Sequence, residues 1–200
     1  MHINIFQEDG DYSEVYDHFL NTFEKSSNNV PSHKVKQLFQ QGKELITHGK
    51  IQRGIQKLEE LISLDRHWLL VWITKGNAHL QLNQLQQALA SFSQALSLNK
   101  SLPTIWERKG RILSELGEYP EALIAYNRAI DTNQASPAIW TGKGDIFYKV
   151  GKYQEALDAY EEALSLEKNF HSAWRGKANV LYRMRKYRLA RIAYKRSKSL

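Results

Sequence analysis

Four short stretches of this chain, WITKG (72–76), WERKG (106–110), WTGKG (140–144) and WRGKA (174–178), stand 34 residues apart. A fixed period constrains a fold more tightly than composition does, because each copy must be one structural unit that buries its apolar face only by stacking on the next. Units beginning at 35, 69, 103, 137 and 171 align five copies without a gap. One column reads Leu38, Trp72, Trp106, Trp140, Trp174, and four places on stand Gly42, Gly76, Gly110, Gly144, Ala178. Later come a mostly small column (Gly54, Ala88, Ala122, Ala156, Ala190) and a bulky one (Leu58, Phe92, Tyr126, Tyr160, Tyr194).

Spacings of three and four are helical, so each unit reads as two helices, the first of about fifteen residues and the second slightly shorter. Gly49, Asn83, Gly117 and Gly151 mark the turn between them, where a helix end needs a left-handed residue. Ser136-Pro137 reads as an N-cap followed by proline at the first helical position, and Pro103 stands in the same place. Large residues opposite small ones let paired helices approach closely, with Trp72 expected to fill the space left by Gly76 and to lie in the core.

The 34-residue period, with W-x-x-K-G and then the alternation of Ala with an aromatic residue, resembles the tetratricopeptide repeat (TPR) family over residues 35–200. Lys75, Lys109, Lys143 and Lys177 depart from the Leu usual in that family, and the first copy, with Leu38 and Gly54, is degenerate. The resemblance implies an all-α fold, an α-solenoid of helix-turn-helix units (35–68, 69–102, 103–136, 137–170, 171–200) wound as a right-handed superhelix. It also implies a protein-interaction scaffold or adaptor, with the first helices lining a concave groove for a partner peptide or helix. Groove candidates are Asn77, Arg108, Arg111, Tyr148, Arg175, Asn179, Tyr182 and Arg183, a mixture richer in Arg and Tyr towards the C-terminus. Arg forks and Tyr rings favour an acidic or aromatic partner segment. The Lys, Asn and Arg set by which one subclass grips chaperone tails is incomplete here, so that role is disfavoured.

Both ends depart from the period. Residues 1–34 carry two Lys against six acidic residues, and Tyr12, Val15, Tyr16, Phe19, Leu20 and Phe23 form a helical apolar stripe with Asp11 and Glu14 placed as a capping box. An extra N-terminal amphipathic helix followed by a flexible linker, SSNNVPSH, is expected over 1–34. It could cap the first unit, lie in the groove of its own or a neighbouring molecule, or bind another protein. Residues 171–200 carry ten basic residues and no acidic one, and Arg191 and Lys198 replace column residues that are apolar in the other copies. That reads as a solvated end to the array. A competing class is nucleic-acid or acidic-surface binding through this basic last unit; it is disfavoured because Tyr187 and Tyr194 occupy core columns and are expected to be buried.

No catalytic chemistry stands out. The chain has no Cys, its seven His form no pair at i, i+4, and its Gly-Lys pairs belong to the repeat rather than to a phosphate loop. Neither enzyme activity, metal nor cofactor is expected. No apolar run is long enough to span a membrane, the start lacks a secretory pattern, and a cytoplasmic protein is expected.

Overall fold

The computed structural model describes residues 32–132 and 135–198, in two compact units divided between Lys100 and Ser101. The expected N-terminal helix and its linker as far as residue 31 lie outside the described residues; Ser32 and His33, expected in the linker, already belong to the first helix of the repeat. Among the described residues the chain is all-helical, with no strand.

In the first unit α1 (Ser32–Thr47) pairs with α2 (Ile51–Leu64), and α3 (Leu69–Gln81) with α4 (Leu85–Leu98). In the second, α5 (Pro103–Glu115) pairs with α6 (Tyr119–Ile130), α7 (Pro137–Lys149) with α8 (Tyr153–Leu166), and α9 (His171–Arg183) with α10 (Tyr187–Arg196). Within each unit successive pairs also pack on one another. The helices begin where the sequence signals them: Pro103 and Pro137 open α5 and α7, and Ser136 Oγ accepts from Ile139 N–H at 3.3 Å.

Turn residues behave as expected, with φ of +77° at Gly49, +56° at Asn83, +81° at Gly117 and +80° at Gly151. Each turn closes by the same reverse bond, for example Lys152 N–H to Phe147 C=O at 2.8 Å with Gly151 N–H to Tyr148 C=O at 3.1 Å. The fifth unit makes that turn at Arg185, φ +61°, which the sequence did not flag. Helix lengths reverse the expected order in two units: α3 and α7 have 13 residues, α4 and α8 have 14. The left-handed turn stops each first helix, whereas the second runs on until the backbone extends at Asn99 and Glu167.

The role expected for the tryptophans is corrected. Phe92, not Trp72, fills the hollow at Gly76, where an added Cβ would stand 2.5 Å from the Phe92 ring; Tyr126 and Tyr160 occupy the same place at Gly110 and Gly144. Helical side chains lean towards the N-terminus, so Trp72 points away from the glycine four residues ahead of it. It is half-buried and donates from Nε1 to the Arg66 carbonyl at 2.8 Å, as Trp174 does to Lys168 at 2.7 Å. The same tryptophans place the column lysines. Each ammonium lies over the tryptophan three residues before it, at 5.6 Å for Lys75 and Lys109, 5.0 Å for Lys143 and 5.5 Å for Lys177. Lys75 and Lys177 also pair with Glu59 and Glu161 at 2.8 Å. The exposed face of a half-buried indole attracts the cation.

The last unit brings a second correction: Tyr187 and Tyr194 are not buried but 57% and 47% exposed. In the same compact unit the Tyr194 column is covered by the next first helix, at Gly142 over Tyr126 and at Gly176 over Tyr160, and no helix follows α10 among the described residues.

Candidate functional site

The first helices of the second unit repeat one polar pattern at positions four apart: Glu107 and Arg111 on α5, Thr141 and Asp145 on α7, Arg175 and Asn179 on α9. Residues four apart share a helix face, and α5, α7 and α9 pack side by side, so these pairs line one groove. The groove encloses a cavity of about 650 Å³. Tyr148 and Lys149 form its side and the Tyr126 and Tyr160 rings its floor.

The floor depends on glycines. Tyr126 and Tyr160, 2% and 1% exposed, are held between the Gly110 or Gly144 of their own unit and the Gly142 or Gly176 of the next; a Cβ would collide with the phenol at Gly142, Gly144 and Gly176 and crowd it at Gly110. With that space open, Tyr160 Oη donates to Asp145 Oδ1 at 2.6 Å. Lys149 Nζ donates to Ser114 Oγ at 3.3 Å, tying α7 to α5.

Electrostatics in the groove are mixed. Its lining carries Arg111, Lys149 and Arg175 against Glu107, Glu115 and Asp145. Desolvation by the surrounding walls pushes the Asp145 carboxyl above its usual range, opposed by the Tyr160 hydrogen bond and by Lys149 and Arg175. Desolvation likewise raises Glu107 against the pull of Arg111 and Arg108. Burial, with the Asp145 charge and hydrogen bond, drives Tyr160 far upward, so it stays a donor at any ordinary pH. Thr141 is 6% exposed, lines the cavity, and its Oγ1 has no hydrogen-bond partner.

Of the residues expected from sequence, Arg111, Tyr148, Arg175 and Asn179 meet in this cavity. Arg108 is half-buried on α5 outside its lining, Tyr182 is 64% exposed against the edge of Tyr187, and Arg183 stands exposed at the end of α9. Asn77 belongs to the other unit, 3% exposed, with Oδ1 unpartnered. Sequence reasoning missed Tyr126 and Tyr160 because it placed their whole column in the core. A signal was present: WTGKG and WRGKA carry Gly142 and Gly176, where WITKG and WERKG have Thr74 and Arg108. Among the described residues there is no cluster of His, Asp and Glu able to hold a metal, and no helix long and apolar enough to cross a membrane.

Two family profiles described as tetratricopeptide repeat match residues 73–138 and 137–170. The chain is a tetratricopeptide repeat protein. Solved structures with the same fold include MamA, at a TM-score of 0.74 and 18% identity over 78% of this chain and 91% of that one. PilF of Pseudomonas aeruginosa aligns at 0.69 and 20% identity, covering 82% and 75%. YrrB, described as a TPR protein with an unusual peptide-binding site, aligns at 0.70 and 15% identity, covering 90% of each. At these identities the likeness is one of fold. None of the curated proteins matches the sequence.

Proposed function

We propose that the chain is a protein-interaction scaffold whose groove in residues 101–198 clasps an extended segment of a partner protein. Arg111 and Arg175 take carboxylates of that segment, while Asp145 and Thr141 take its N–H donors. The partner is therefore acidic at some positions only, since a uniformly acidic strand would meet Glu107 and Asp145. The observation that carries this reading is the unpartnered hydroxyl of Thr141, a residue more than nine-tenths buried that lines a polar cavity. A buried hydroxyl without a partner costs about 1–3 kcal/mol, which a ligand hydrogen bond recovers. Tyr148, half-buried at the side of the cavity, supplies rigid aromatic surface of the kind that anchors peptides.

A displayed library of random twelve-residue peptides, selected on the full chain and titrated calorimetrically, tests the reading. Enriched peptides should carry Asp or Glu at a fixed position and bind Arg175→Ala roughly tenfold more weakly, the size of losing a charge-assisted bond. Peptides that bind Arg175→Ala and Thr141→Val as tightly as the parent would refute it.

A further inference from the structure

Helix α10 closes the second unit with a surface unlike that of the other second helices. It packs on α9 through Ala190 and Ala193. Tyr194 shares a column with Phe92, Tyr126 and Tyr160, which are 0%, 2% and 1% exposed, yet it is 47% exposed. In the inner copies of this unit the seal is the next first helix, with Gly142 against Tyr126 and Gly176 against Tyr160. Tyr194 has no such helix over it among the described residues. Tyr187, 57% exposed, shares this side of α10 with Tyr194, among Arg188, Arg191 and Lys195. An end that only solvates the stack needs neither these apolar side chains nor charge of a single sign.

We propose that this face docks residues 11–23 of a second copy of the chain, giving head-to-tail association. Charge complementarity selects that segment. Residues 171–200 carry ten basic and no acidic residues, whereas residues 1–34 carry six acidic and two basic. Asp11, Glu14 and Asp17 flank the apolar stripe of Tyr12, Val15, Tyr16, Phe19, Leu20 and Phe23, which offers the cover that Tyr187 and Tyr194 lack. The outer face of α1, the other surface a second copy could present, is polar, with Lys36, Gln37, Gln40 and Gln41 exposed, and brings neither apolar cover nor negative charge. Eight residues, 24–31, separate the segment from α1 and give it a reach of up to about 28 Å. A contact between two different patches of the same chain is heterologous, so copies can add in series.

Complementation between two variants of the full chain tests this. Phe19→Asp spoils the segment, and the pair Arg188→Glu and Arg191→Glu spoils the face; Tyr194→Ser is a second face variant at an exposed site. Sedimentation from about 1 to 100 μM should show the parent growing in mass with concentration and reverting to monomer in about 0.5 M salt, where exposed charge pairs are screened. Each variant alone should remain monomeric at a concentration roughly tenfold above that at which the parent associates. Mixing the Phe19→Asp chain with a face variant should restore a one-to-one complex, because one intact junction remains. A parent that is monomeric throughout, or a mixture that fails to pair, would overturn the proposal; the latter is also the outcome if the segment docks on its own chain. So would vesicles of phosphatidylserine or duplex DNA binding through Arg188 and Arg191 while the protein stays monomeric. Arg175→Ala leaves association unchanged, which separates this proposal from the groove reading.

Discussion

The two units of this chain are made from one repeat and differ in what their first helices show to solvent. In residues 32–100 the forward groove position holds Phe39 and Ile73, 3% and 2% exposed, and the bulky column holds Leu58 and Phe92, which have no hydroxyl. In residues 101–198 the same positions hold Glu107, Thr141 and Arg175 over Tyr126 and Tyr160. Replacing Leu and Phe by Tyr leaves the column buried but sends an oxygen through it, and glycines at 142 and 176 leave room for that oxygen. One unit thus spends its groove position on the core, and the other turns it into a polar cavity.

The strongest test of this comparison is whether the bulky column is core in both units. Phe92→Ala and Tyr160→Ala should each cost about 4 kcal/mol, as large-to-small changes at fully buried rings do. Chemical denaturation reads this, and a loss below 1 kcal/mol at Tyr160 would show that its packing is dispensable. Trp72→Ala should cost roughly half as much, because the indole is half-buried and loses one bond to a loop carbonyl.

Next in size is the glycine that distinguishes the second unit. Gly176→Ala places a methyl group against the sealed Tyr160 ring, which has no free end to swing aside. The cost should be about 1–3 kcal/mol of overpacking. Tyr160 must tilt, so its hydrogen bond to Asp145 should lengthen, and the Tyr160 and Asp145 resonances should shift together in NMR spectra. A neutral Gly176→Ala would mean that the phenol is not held where the cavity floor requires it.

A smaller effect concerns pH. The Asp145 carboxyl is raised by desolvation, so on acidification it takes a proton before an ordinary carboxylate of a bound peptide does. The groove then loses a negative charge while Arg111, Lys149 and Arg175 keep theirs. Affinity for a peptide carrying a carboxylate should rise by a few-fold, under about 1 kcal/mol, from pH 7 down to the range just above ordinary carboxylates, and fall once the peptide protonates. By the same linkage, the raised group favours the folded chain at acid pH and gives this up as pH climbs through its raised value. Asp145→Asn should flatten the rise, and titration calorimetry at several pH values checks it.

What the sequence made legible was the period and its consequences. Gly49, Asn83, Gly117 and Gly151 stand at their left-handed turns because a backbone demand writes itself into residue type. Part of the candidate site was readable too, since Arg111, Tyr148, Arg175 and Asn179 lie on the first helices that the tetratricopeptide resemblance sets along a groove. Spacing carries no direction, however. It set Trp72 and Gly76 on neighbouring turns without revealing that the indole leans away from the glycine and that Phe92, from the partner helix, enters instead. Column reasoning also presumes a neighbour on both sides, and it failed at Tyr187 and Tyr194, where none follows among the described residues.

The smallest expected effect compares the turns of the two units. Four of the five turns place Gly or Asn at positive φ, and the fifth places Arg185 at +61°. The left-handed region crowds a Cβ against the following carbonyl, at a cost of roughly 1 kcal/mol that glycine avoids. Glycine also loses more backbone entropy on folding, which returns part of that gain. Arg185→Gly should therefore stabilise the chain by about 0.5 kcal/mol, read as a rise in thermal midpoint, while lowering the net charge by one. Gly151→Arg, the reverse exchange one unit earlier, should destabilise by a similar amount, since a Cβ there meets no atom within 4 Å and only the backbone objects. If Arg185→Gly instead lowers the midpoint, the arginine contributes through its side chain more than its backbone costs, and the last turn belongs with the basic face of α10 rather than with the repeat.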